Sequence, residues 1–376
     1  MSERLYVSTR KGLVTLARTH AVGQPWRVEK IDFLGDPVNL FLRDSRDGTQ
    51  YAALNLGHFG PKLRRSDDDG QTWQDLTLPT YPEDTFIYAN PMAPPESEKG
   101  KQHAAVLMEI WALETGGANE PGTIWAGTIP GALFRSDDRG SSWRMIRTLW
   151  DRPERQHWFG GGKDEAGLHS ICVDPRDAKH VSVALSCGGV WQTRDGGETW
   201  TCTAAGMRAA YMPPELQYDP NVQDPHRMVQ CPTQPDALWV QHHNGIFRSF
   251  DGAQQWEECV DVQPSGFGFA VAVHPTDPLT AWFVPGKKDE FRYPVDGKFV
   301  VTRTRDGGRN FETLTRGLPQ SHAYDLVYRH ALDVDATGNS LAMGSTTGGV
   351  WTTDDGGETW TELEARLPPV YAVRFA

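Results

Sequence analysis

The chain has 376 residues, with 37 Lys and Arg against 49 Asp and Glu and a formal net charge of −12. That balance argues against a nucleic-acid or anionic-membrane surface, and no apolar run approaches the length of a membrane span. Five cysteines, odd in number and without a C-x-x-C pair, point to a reduced setting rather than a disulfide scaffold.

The N-terminal segment is charged and enters a strand directly, with no apolar leader, so a cytoplasmic protein is expected. Strands are predicted at Leu5–Ser8, Leu13–Ala17 and Trp26–Ile31. A turn pattern then begins with Ser66-x-Asp68-x-Gly70-x-Thr72-Trp73 and returns at Ser136, Thr193, Ser249, Thr304 and Thr353, at intervals of 49 to 70 residues. The copies at Ser249 and Thr304 are weaker, carrying Ala253 for the glycine and Phe311 for the tryptophan. Each copy follows one short apolar run and precedes another, which reads as a hairpin. The Asp and Ser/Thr side chains can bond the turn's own backbone, the glycine takes the positive-φ position, and the aromatic covers the turn. Hairpins at periods near fifty predict a propeller. The C-terminal Pro-Pro-Val-Tyr-Ala-Val-Arg-Phe-Ala376 is a lone strand, so it is expected to supply the inner strand of the N-terminal blade and close the ring. Six boxed blades and this composite one make a single all-β domain, residues 1–376, with seven blades.

The repeated turn resembles the Asp-box, or BNR repeat, of sialidases, sortilin-type receptors, xyloglucan-degrading enzymes and a photosystem II assembly factor. The resemblance covers residues 66–360 and implies the fold. The box is a turn staple on the face away from the active site in such proteins, so it implies little about activity. Sialidases carry an arginine in an F/Y-R-I-P motif near the start, and none is present here. Leu133-Phe-Arg135 and Ile246-Phe-Arg248 lead straight into boxes, towards the other face.

Long loops rich in proline, glycine and charge lie at Tyr81–Lys101, Asp151–Gly167 and Met207–Pro225, with a further insertion at Pro285–Lys298. They emerge opposite the Asp turns, where propellers build lids and pocket walls. Aligning the inner strands on the boxes places His169, His226, His330 and Glu109 at one height in the fourth, fifth, seventh and third blades. Asn39, Phe269 and Tyr371 take that place in the second, sixth and first. Three imidazoles and a carboxylate converging from rigid strands suit a divalent metal ion such as zinc, iron(II) or manganese. His242 and His243 follow on the same side as candidates for moving a proton, with at most one facing the channel because strand residues alternate. Asp325 is a further catalytic candidate. His58, Lys288, Glu290, His322, Tyr324 and Tyr371 are candidates for contacting substrate.

The expected function is a metal-dependent hydrolase or lyase acting on a small polar molecule at the loop-rich end of the channel. A non-catalytic propeller that binds a protein or ligand is the alternative. A third reading is a glycoside hydrolase that uses Glu109 with Asp325 or Glu290.

Overall fold

The computed structural model describes residues 2–19, 24–88, 96–97, 101–161 and 163–376. Among them, seven four-stranded antiparallel sheets form, with one two-stranded ribbon, Phe86–Ile87 and His103–Ala104, in the loop after the second blade. In the first blade Val370–Phe375 lies inside Arg4–Thr9, followed outward by Gly12–Ala17 and Arg27–Asp32. The other inner strands are Val38–Arg43, Glu109–Thr115, Leu168–Val173, Pro225–Gln230, Gly268–Val273 and Leu332–Val334. Each touches the inner strand of the next blade, and the series returns from Leu332–Val334 through Val370–Phe375 to Val38–Arg43. The result is a seven-bladed β-propeller closed by its C-terminal strand, as the sequence predicts. No described helix is long and apolar enough to cross a membrane.

The second strand of each blade is covered within its sheet and by neighbouring blades, and most of its residues are buried. Ile124–Ile129, Val181–Leu185 and Ala281–Pro285 are buried at every residue. Trp125, Trp191, Trp239, Trp282 and Trp351, from five different blades, are fully buried. Burying one such ring is worth about 2–3 kcal/mol at roughly 25 cal/mol per Å².

The repeated turns form one hydrogen-bond pattern. The Ser66 hydroxyl donates to Asp68 Oδ1 (2.7 Å) and accepts from the Gly70 N–H (2.8 Å). Asp68 then accepts from the Thr72 N–H and hydroxyl. Equivalent bonds recur around Asp138, Asp195 and Asp306. The glycine position takes a positive φ, 81° at Gly70, and in the fifth blade Ala253 is held at 65° by the same frame.

Candidate functional site

The inner strands share a defect that builds the channel mouth. In six blades one residue or two drop out of the ladder between the first and second positions of a bulge: Tyr371, Asn39, Trp111, His169, His226, and Phe269 with Ala270. A bulge bends the strand and re-aims the skipped side chain. Tyr371, Asn39, Trp111 and Phe269 consequently face a cavity of about 450 Å³, with His330 from the seventh blade. The third-blade alignment needs correction by two residues, since Trp111 and not Glu109 is the skipped residue. Glu109 still lines the cavity, where its carboxylate accepts from Lys163 Nζ (2.9 Å) and Asn39 Nδ2 (2.5 Å).

The four residues expected to hold a metal do not assemble. His169 Nε2 lies 2.7 Å from the carbonyl of Pro225 in the next blade. A carbonyl only accepts, so that nitrogen is the N–H. Its Nδ1 faces the Ser170 hydroxyl at 2.9 Å, whose oxygen already accepts from the Met228 N–H. Both nitrogens of His169 are thus used in joining the fourth blade to the fifth. His330 reaches across the channel and donates from Nε2 to the carbonyl of Trp111 (3.0 Å), which the bulge frees from the ladder. Burial holds the pKa of both imidazoles well below the ordinary value, so both are neutral braces.

His226 instead joins Asp224 and His243. Among the described residues these three make up the one group of three or more His, Cys, Asp or Glu whose ligand atoms all lie within 4.8 Å of one another. Asp224 Oδ2 stands 3.4 Å from His226 Nε2 and 3.4 Å from His243 Nδ1. Both separations exceed an ordinary N–H···O bond of about 2.7–3.2 Å. They match two ligands on one zinc, since bonds of about 2.0–2.1 Å at the tetrahedral angle place donors roughly 3.4 Å apart.

The surrounding bonds set the protons. His226 Nδ1 lies 2.7 Å from the Gly268 carbonyl and must be its N–H, so a neutral ring turns its bare Nε2 towards the carboxylate. Burial lowers the pKa of His226 despite Asp224. Asp224 Oδ1 accepts from the Ser186 hydroxyl (2.9 Å) and the Cys187 N–H (3.2 Å), which leaves Oδ2 for the imidazoles. His243 Nε2 lies 3.8 Å from Asp289 Oδ2 in the sixth-blade insertion. Against the cost of burial, Asp224 holds the pKa of His243 above its ordinary value. Asp224 and His226 are sealed, whereas the His243 side chain is 20% exposed. Gly161 lies over the group: a β-carbon there would stand 2.8 Å from Cys187 Sγ and 3.3 Å from Asp224 Oδ2.

The remaining expectations sort by contact. His242 is fully buried at the end of its strand, and the backbone N–H groups of Asp224 (3.0 Å, to Nε2) and Asn244 (3.1 Å, to Nδ1) both point at its ring, whose single bare nitrogen accepts one of them when neutral. Burial pushes its pKa down to about 3, so it holds backbone rather than moving protons. Asp325 accepts from the Ser345 and Thr347 hydroxyls and fixes a turn of the seventh blade, outside the cavity lining. His58 sits in an exposed turn beside Gly57, which does line the cavity. Lys288 and Glu290 are exposed and pair with each other at 3.0 Å. His322 and Tyr324 are also exposed, Tyr324 at 69%. Of the six substrate-contact candidates, Tyr371 alone is in the cavity wall. Among the described residues Glu109 is also the single carboxylate in that wall, and a glycosidase pair needs two. A larger groove, about 790 Å³, opens between the first and seventh blades on the Asp-turn side, but its Arg18 and Asp354 neutralise each other.

Asp224, Arg329, Arg292 and Trp111 are the site residues the sequence does not single out. Asp224-Pro225-His226 was a readable signal, an aspartate two residues before a channel histidine. Arg329 carries no such signal.

No family model and no curated sequence matches the chain. Among solved structures it is similar to the GH74 xyloglucanase from Xanthomonas campestris, with a TM-score of 0.64 and 15% identity over 96% of this chain and 52% of that one. The GH74 enzyme of Niastella koreensis gives 0.61 and 14%, over 96% and 53%. This chain therefore spans about half the length of those two enzymes. YCF48 bound to D1 peptide gives 0.52 and 13%, over 87% and 81%. At these identities the likeness is one of fold: a β-propeller shared by glycoside hydrolases and by a peptide-bound protein.

Proposed function

We propose that the protein is a metal-dependent enzyme, a hydrolase or lyase, in which Asp224, His226 and His243 hold a divalent cation beside the channel mouth. The observation that carries this reading is the bare Nε2 of His226 facing a buried carboxylate oxygen at 3.4 Å. Two acceptors at that distance repel unless a cation or proton lies between them. The surroundings support this reading: His226 Nδ1 donates to the Gly268 carbonyl, the carboxylate's second oxygen is satisfied, and His243 Nε2 faces Asp289 at 3.8 Å, without a direct bond. Two nitrogens and one carboxylate suit zinc, iron(II) or manganese and leave coordination positions open. Such an ion polarises a substrate oxygen or lowers the pKa of a bound water. His243, on the open side, and Gly161 would control what reaches it.

The test is metal analysis of protein purified without a histidine tag. Stoichiometric metal is expected, falling at least tenfold in Asp224→Ala and His226→Ala. Wild-type protein that takes up no metal when supplied with zinc, iron(II) or manganese would overturn the reading and leave the non-catalytic binding propeller in its place.

A further inference from the structure

Among the described residues of the channel mouth, Arg329 is the one cation with no hydrogen-bonded or ion-paired partner. It stands just before the seventh inner strand, is 8% exposed, and makes no hydrogen bond or ion pair among the described residues. Its guanidinium lies 4.5 Å over the Trp111 ring and 5.5 Å from that of Phe269. Cation–π contact of this kind offsets part of the lost hydration but supplies no acceptor. An unpaired buried charge costs several kcal/mol, so a cationic side chain left this way in a cavity wall indicates a missing anion.

The other charges there are balanced. Lys163 pairs with Glu109 (2.9 Å), and Arg292 pairs with Asp289 (2.9 Å). His330 is neutral, with Nε2 donated to Trp111 and Nδ1 buried without a partner. Among the described residues lining the cavity, Arg329 is therefore the one charged group without a contacting partner; Asp224, outside that lining, acts on it only through space.

We propose that the channel-mouth cavity is a binding site for a small organic monoanion whose carboxylate is gripped by Arg329. A guanidinium matches a carboxylate in a two-bond fork. Trp111, Phe269, Tyr328 and Tyr371 offer flat apolar surface for the rest of the molecule, and Asn39 and Asn55 offer amide groups for hydroxyls. About 450 Å³ is within the usual range for small-ligand sites. The site stands whether or not Asp224, His226 and His243 hold an ion.

Calorimetric titration of chelator-treated protein tests it, with glucuronate and benzoate as carboxylates, glucose 6-phosphate as a phosphate ester and glucose as the uncharged control. At least one carboxylate is expected to bind at least tenfold more tightly than glucose, and Arg329→Gln should remove that preference. Arg329→Met, without ligand, should melt at or above the wild-type temperature, because an unpaired buried charge is gone. A purely structural clamp over Trp111 would instead lower the melting temperature. Equal binding of all four probes, preference for the phosphate ester, or an Arg329→Met protein that is less stable yet keeps carboxylate binding would each overturn the proposal. Because the metal is removed beforehand, a failure here leaves the reading of Asp224, His226 and His243 untouched.

Discussion

His169 and His226 occupy the same rung of neighbouring blades, yet their second nitrogens meet different partners. In His169 that nitrogen faces the Ser170 hydroxyl; in His226 it faces a carboxylate. Placement on a rung thus says less about chemistry than what each ring nitrogen can donate or accept. His169→Ala would leave the Pro225 carbonyl unpaired in the interior and open a void, at a cost of about 2–4 kcal/mol. Urea unfolding of metal-free protein should record that loss, while metal content at saturation stays unchanged. A His169→Ala protein of normal stability that no longer binds metal would return His169 to the list of ligands. The sequence made the histidines visible because the inner strands align on the turns. It hid Arg329 because strand alternation assigns neighbours to opposite faces, and Tyr328–His330 lie outside the strand, where alternation does not hold.

The turn is the element that carries most of the sequence signal, and it makes its own prediction. Side-chain hydrogen bonding from Thr72 holds the Asp68 carboxyl down at about 2, and Asn310 does the same for Asp306. A carboxyl whose folded pKa is depressed contributes stability that is present in full above its unfolded value, near 4, and is lost as pH falls through the folded value. Stability should therefore decline between about pH 4 and pH 2, and Asp68→Asn with Asp306→Asn should flatten that decline. Urea midpoints measured across this range check it; an unchanged slope in the double variant would remove these turns as its cause. The turns were legible because six copies demand the same residues at the same offsets. The bulges were not, since a skipped residue leaves no compositional mark. That is why alignment on the turns assigns Glu109 to the third-blade rung that belongs to Trp111.

For the whole molecule, closure is the decisive contact. Val370–Phe375 pairs with Arg4–Thr9, and its Val373 N–H donates to the His330 carbonyl, linking the first blade to the seventh. Removing residues 370–376 would expose the edge of Arg4–Thr9 and withdraw Tyr371 from the cavity wall. We expect loss of a single cooperative melting transition and association through the bared edge, seen by calorimetry and gel filtration. A monomer with an unshifted transition would show that closure contributes little. Closure itself was readable from an orphan strand at one end and an incomplete blade at the other.

The same rigidity fixes Asp224 against two imidazoles from the inner strand and the second-strand turn of one blade. Anomalous diffraction from crystals equilibrated with zinc is the most direct measurement of that claim. One strong peak is expected about 2 Å from Asp224 Oδ2, His226 Nε2 and His243 Nδ1. A peak between His169, His330 and Glu109, or none near Asp224 in zinc-saturated crystals, would contradict it.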